Sequence, residues 1–70
     1  MKHTKENIIK VLEAKIHLAH KMVEYSRLNG DFQSAEEYLA EACALRDAIY
    51  LLEDKDYFNN TARRLLKEAK

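Results

Sequence analysis

Proline and tryptophan are absent from this 70-residue chain, and glycine and cysteine occur once each. Without proline, no residue removes a backbone donor or blocks a helix from inside. With one glycine, Gly30, the left-handed backbone region is freely open at a single position. The lone Cys43 excludes an intrachain disulfide, and no Cys/His spacing matches a structural zinc site. A glycine-rich phosphate loop is likewise excluded. No apolar run approaches the roughly 18 residues a membrane helix needs, and the opening Met1-Lys2-His3-Thr4-Lys5-Glu6 is too polar for a secretory leader. A lone thiol suits a reducing compartment, so the expectation is a cytoplasmic protein with no membrane partner.

Net charge is also missing, since 12 Lys and Arg balance 12 Asp and Glu, but the two signs are segregated. Residues 1–29 carry six basic against three acidic side chains, a net of +3, and residues 30–56 carry two against eight, a net of −6. Residues 57–70 return +3 through Arg63, Arg64, Lys67 and Lys70 against Glu68. A basic, acidic, basic order lets neighbouring helices attract one another. It argues against a dedicated nucleic-acid binder, which keeps a basic face free for phosphate.

What is present is helical periodicity. Thr4 is a fair N-cap for a helix over 5–29, and Gly30 and Asp31 close that helix and open the next through a turn at 29–31. A second helix is expected over 32–54. Asp54-Lys55-Asp56 reads as a break, with Asp56 capping a short helix over 57–69 whose apolar edge is Phe58, Ala62, Leu65 and Ala69. The first helix carries one seam at 3-4-3-4 spacing, Ile9, Leu12, Ile16, Ala19 and Val23. Beside it runs a second seam, Ile8, Val11, Leu18, Met22 and Tyr25, interrupted by Lys15. The second helix has a main stripe of Phe32, Ala35, Leu39, Ala42, Leu45, Ile49 and Leu52, flanked by Tyr38, Cys43 and Tyr50. An alanine face, Ala40, Ala44 and Ala48, lies on its back.

The expected fold is therefore all-α, an antiparallel helical hairpin with a short C-terminal third helix. Below about 70–80 residues a single core rarely supplies more than about 3–5 kcal/mol without a staple. Disulfide and metal being excluded, assembly into a homo-oligomeric helical bundle remains. Its expected interface is the second seam of the first helix, Ile8, Val11, Leu18, Met22 and Tyr25, with Ala40, Ala44 and Ala48.

Candidate chemistry is sparse. Glu13, His17, His20 and Glu24 share the polar side of the first helix, a spacing that carboxylate and imidazole metal sites use on helices. No matching motif stands on the second helix, so a solvated polar face is the better reading and no metal or other cofactor is expected. Cys43 reads as a small buried thiol of structural kind. Arg46 falls within the main stripe of the second helix, where a cation must find an acid or an anionic ligand. A hypothetical anion pocket follows, in which Arg46 and Lys15 hold phosphate or carboxylate while Tyr50 and Tyr25 stack on a planar group. No nucleophile, base and orienting residue assemble into a catalytic set, so an enzyme is not expected.

The segment Gly30-Asp31-Phe32-x-x-Ala35-x-x-x-Leu39-x-x-Ala42 resembles the turn and second helix of a tetratricopeptide repeat. The likeness spans about half a repeat. Ala19 and Met22 stand where that family prefers a bulky aromatic and Leu, Val23 replaces a small residue, and Asp47 stands where Pro often closes the repeat. It implies hairpin geometry rather than peptide binding, and no second copy follows to build a solenoid. The short Lys/Glu-rich chain and Leu45-Arg46-Asp47-Ala48-Ile49-Tyr50-Leu51-Leu52-Glu53 resemble the small helical-hairpin proteins of bacteriophages and mobile elements. Some of those are oligomeric sponges for cyclic-nucleotide immune signals, and others block a host protein. The resemblance implies a non-catalytic accessory protein that binds a small anionic ligand or a host protein. A structural or adaptor module that pairs helices with a partner is the alternative.

Overall fold

A computed structural model of the chain describes residues 1–68 and contains three helices: α1 (Lys5–Leu28), α2 (Phe32–Glu53) and α3 (Lys55–Glu68). No strand occurs among the described residues. Ala69 and Lys70, which the sequence adds to the last helix, lie outside them.

Local chemistry explains the ends of α1 and α2 and the start of α3. Thr4 caps α1, its hydroxyl oxygen accepting from the Asn7 backbone N–H at 3.2 Å. At the other end Gly30 has φ of 74°, the left-handed region expected of it. Its N–H donates to the Arg27 carbonyl at 3.0 Å, and the Asp31 N–H donates to the Ser26 carbonyl at 2.8 Å. That pair of bonds is a Schellman motif, and it satisfies two carbonyls that the helix end would otherwise leave open. Asn29, expected to be helical, is the cap residue instead, its amide donating to the Tyr25 carbonyl at 2.8 Å. Asp31 then opens α2 by accepting from the Ser34 N–H at 3.1 Å. The Ser34 hydroxyl and backbone N–H hold the Asp31 carboxyl below its ordinary range.

The second break is shorter than the sequence suggests. Asp54, not Asp56, caps α3, accepting from the Tyr57 N–H at 3.0 Å, so α3 begins at Lys55. The Asp54 N–H still donates to the Tyr50 carbonyl at 2.8 Å. One extended residue, with φ of −105° and ψ of 103°, thus ends α2 and starts α3, and no left-handed residue is required.

α1 and α2 pack on each other, and α3 packs on α2 alone. The buried set is Ile16, Ala19, Val23 and Ser26 from α1 with Ala35, Ala42 and Ile49 from α2. Ile9, Leu12 and Leu45 lean on this core half-buried. The first seam of α1 is therefore the inward one, extended by Ser26. Phe32, placed in the main stripe by its spacing, is 66% exposed, because it is the first residue of α2. Small side chains dominate the interior, and no large side chain among the described residues is fully buried.

The Cα atoms extend over 42 × 34 × 16 Å, with a radius of gyration of 15.1 Å, against about 11 Å for a compact chain of this length.

Gly30 supplies a test. A Cβ added there meets nothing within 4 Å, so any cost of substitution is backbone strain alone. Gly30→Val is expected to destabilise by about 1–2 kcal/mol in urea unfolding, and Gly30→Asn by clearly less, since Asn tolerates the left-handed region.

Candidate functional site

The α1/α2 layer has two differently built surfaces. On one, Glu13, His17 and His20 of α1 face Arg46, Tyr50 and Glu53 of α2 across an open cleft of about 450 Å³. Its apolar lining is Ile16 and Ile49, the same isoleucines that form the core. Helix spacing explains the arrangement: His17 follows Ile16 and His20 follows Ala19, so both stand on one flank of the buried seam, while Arg46 and Tyr50 flank Ile49.

Arg46 is exposed rather than held within the stripe. It lies on the edge of the inward direction of α2, and its long side chain reaches solvent from there. Lys15 does not join it. Lys15 lines two other grooves, and Tyr25, 63% exposed, lines neither these nor the cleft. The four-residue pocket of Arg46, Lys15, Tyr50 and Tyr25 is thus reduced to Arg46 and Tyr50. Arg46 stands against the two carboxylates of Glu13 and Glu53, so the cleft is mixed in charge rather than simply cationic. Glu24, grouped with Glu13, His17 and His20 by spacing, does not line the cleft. Among the described residues, no three His, Cys, Asp or Glu side chains are grouped as metal ligands would be.

The other surface is apolar. Lys15, Leu18, Ala19 and Met22 of α1 face Tyr38 and Glu41 of α2 across a groove of about 300 Å³. A second groove of about 400 Å³ continues from Lys15 along Leu12, Val11 and Ile8 to Met1. Val11, Leu18 and Tyr25 are 49%, 60% and 63% exposed, and Ile8 and Met22 are half-buried. The second seam of α1 is thus open to solvent at Val11, Leu18 and Tyr25 and partly covered at Ile8 and Met22. Ala40 and Ala44 are exposed and Ala48 is half-buried. Cys43 is exposed, not buried, because it points off the flank of Ala42 instead of into the seam.

No protein-family model matches this chain, and no curated protein or solved structure matches it. The site therefore stands on its own geometry. Among the described residues, no helix is long and apolar enough to cross a membrane.

Sequence spacing missed what holds α3. The Tyr57 hydroxyl donates to the Asp47 carboxylate, and the Tyr57 ring meets Tyr50 edge to face, with centroids 5.9 Å apart and planes at 64°. Tyr57, Thr61 and Ala62 are half-buried, whereas Phe58 and Leu65 of the expected apolar edge are each 52% exposed. Since Tyr50 also lines the cleft, the docking of α3 buttresses one wall of it.

The hydrogen bond to Asp47 raises the Tyr57 pKa above its ordinary value of 10.0. A raised pKa means that the neutral phenol is favoured in the folded state, so this contribution is complete below pH 10 and is lost as pH rises through the raised value. Tyr57→Phe, which keeps the ring and removes the donor, is expected to speed amide hydrogen exchange in α3 while leaving α1 unchanged. The same acceleration is expected in the wild type above about pH 10, and it should be smaller in the variant, which has no phenol to ionise.

Proposed function

We propose that this chain is a non-catalytic binding protein of the cytoplasm that works as a homo-oligomer, its antiparallel hairpin of α1 and α2 completed by further copies of itself. The observation that carries the reading is uncovered surface. The accessible area is 5879 Å² for 8.2 kDa, whereas a compact folded chain of that mass exposes roughly 4,500 Å². The excess, on the order of 1,300 Å², exceeds the roughly 800 Å² that one partner contributes to a standard interface. Val11, Leu18 and Tyr25 of the open seam, at 49%, 60% and 63% exposure, contribute to that area. Sizing by light scattering at about 10 μM should give a dimer or larger assembly; a folded monomer would contradict the proposal.

The cleft gives such an assembly a place for a small ligand. Arg46 offers a planar cation with several donors, and Tyr50 offers an aromatic edge beside it. The likeness of residues 45–53 to hairpin proteins of phages and mobile elements turns this reading toward sequestration of an anionic, nucleotide-like molecule or toward blocking a host protein. The mixed charge of the cleft favours a ligand that also presents donors to Glu13 and Glu53, as a nucleobase does. The adaptor reading, in which the apolar seam docks a different helical partner, rests on the same surface. Arg46→Ala separates the two. Loss of nucleotide binding by calorimetry with assembly intact supports the cleft, whereas loss of assembly makes Arg46 an interface residue.

A further inference from the structure

Charge selects how two copies would meet. Lys15 of α1 and Glu41 of α2 stand on opposite walls of the apolar groove that also contains Leu18, Met22 and Tyr38. Both charged side chains are exposed, and both sit within the surface that a second copy would cover. Two arrangements bring this face onto its own copy about a two-fold axis lying in the interface. With the axis across the helices, α1 stacks on the partner's α1 and α2 on the partner's α2. That places the +3 segment on itself and the −6 segment on itself. With the axis along the groove, α1 stacks on the partner's α2, so opposite charges meet along both contacts.

We infer that the partner of this face is a second copy of the chain, docked about a two-fold axis along the groove, with Lys15 of each copy paired to Glu41 of the other. This rests on the self-association proposed above and adds its symmetry and its charge code. Leu18, Met22 and Tyr38 form the dry centre of the resulting four-helix arrangement. The groove axis carries the lysine of one copy over the glutamate of the other because the two residues lie on opposite sides of it. Two reciprocal pairs form per dimer, and each satisfies a charge that would otherwise be covered by apolar surface.

The test uses full-length chains checked for helix content by circular dichroism and sized by sedimentation. Lys15→Glu alone and Glu41→Lys alone each oppose like charges at both pairs, and each should self-associate at least about tenfold more weakly than wild type. An equimolar mixture of the two variants should form a heterodimer, because every contact then joins Glu to Lys. The double variant K15E/E41K should recover homodimerisation, and 1 M salt should shrink all these differences. Single variants that associate as wild type does, or a mixture that stays monomeric beside a dimeric wild type, would overturn the charge pairing while leaving self-association standing. A monomeric wild type would overturn both.

Discussion

A connection of residues 29–31, closed by one left-handed glycine, lets α1 and α2 bury one seam each and no more. Everything else about the molecule follows from the narrowness of that shared seam. Ala19, Ser26, Ala35 and Ala42 are small, so the helices approach closely without enclosing much apolar volume, and among the described residues Ile16, Val23 and Ile49 are the larger buried side chains, with Ile9, Leu12 and Leu45 half-buried against them. α3 does not thicken the core, since it contacts α2 and buries none of its residues completely. The layer formed by α1 and α2 has two open sides. The two sides differ in kind. One presents Glu13, His17, His20, Arg46 and Glu53 around a cleft, and the other presents Leu18, Met22 and Tyr38 around a groove. On the proposed reading, the second layer is another copy, and the polar side stays available for a ligand.

The cap at Thr4, the turn at Gly30 and the opening of α2 at Asp31 were legible in the sequence because each depends on contacts within about four residues. The inward seam of α1 was legible because Ile9, Leu12, Ile16, Ala19 and Val23 are apolar throughout, whereas the parallel seam beside it is interrupted by Lys15. The site was less so. Arg46 and Lys15 each flank a buried seam, and a helix taken alone does not say which flank of α1 meets which flank of α2. Packing put Arg46 beside His17 and His20, and put Lys15 on the opposite surface with Glu41. The exposure of Cys43 has the same origin, since it stands on the flank of the stripe where a small rotation of α2 decides burial.

The last turn of α2 hid a different kind of information. Asp54 and Asp56 are both competent caps, and only the position of Tyr57 decides between them. With Asp54 as the cap, Tyr57 falls where its hydroxyl meets Asp47 and its ring meets Tyr50. That contact spans ten residues across a helix break and depends on the angle between α2 and α3, which no periodicity encodes. Its consequence reaches the cleft, because the same Tyr50 serves both.

On the proposed reading, folding of the α1/α2 layer is linked to association with its own copies. The concentration dependence of thermal unfolding measures that linkage directly, since anything that binds the folded state alone raises the midpoint by mass action. With that linkage the midpoint climbs steadily as the protein is concentrated from about 1 to 100 μM. A midpoint that does not move over that range would contradict it.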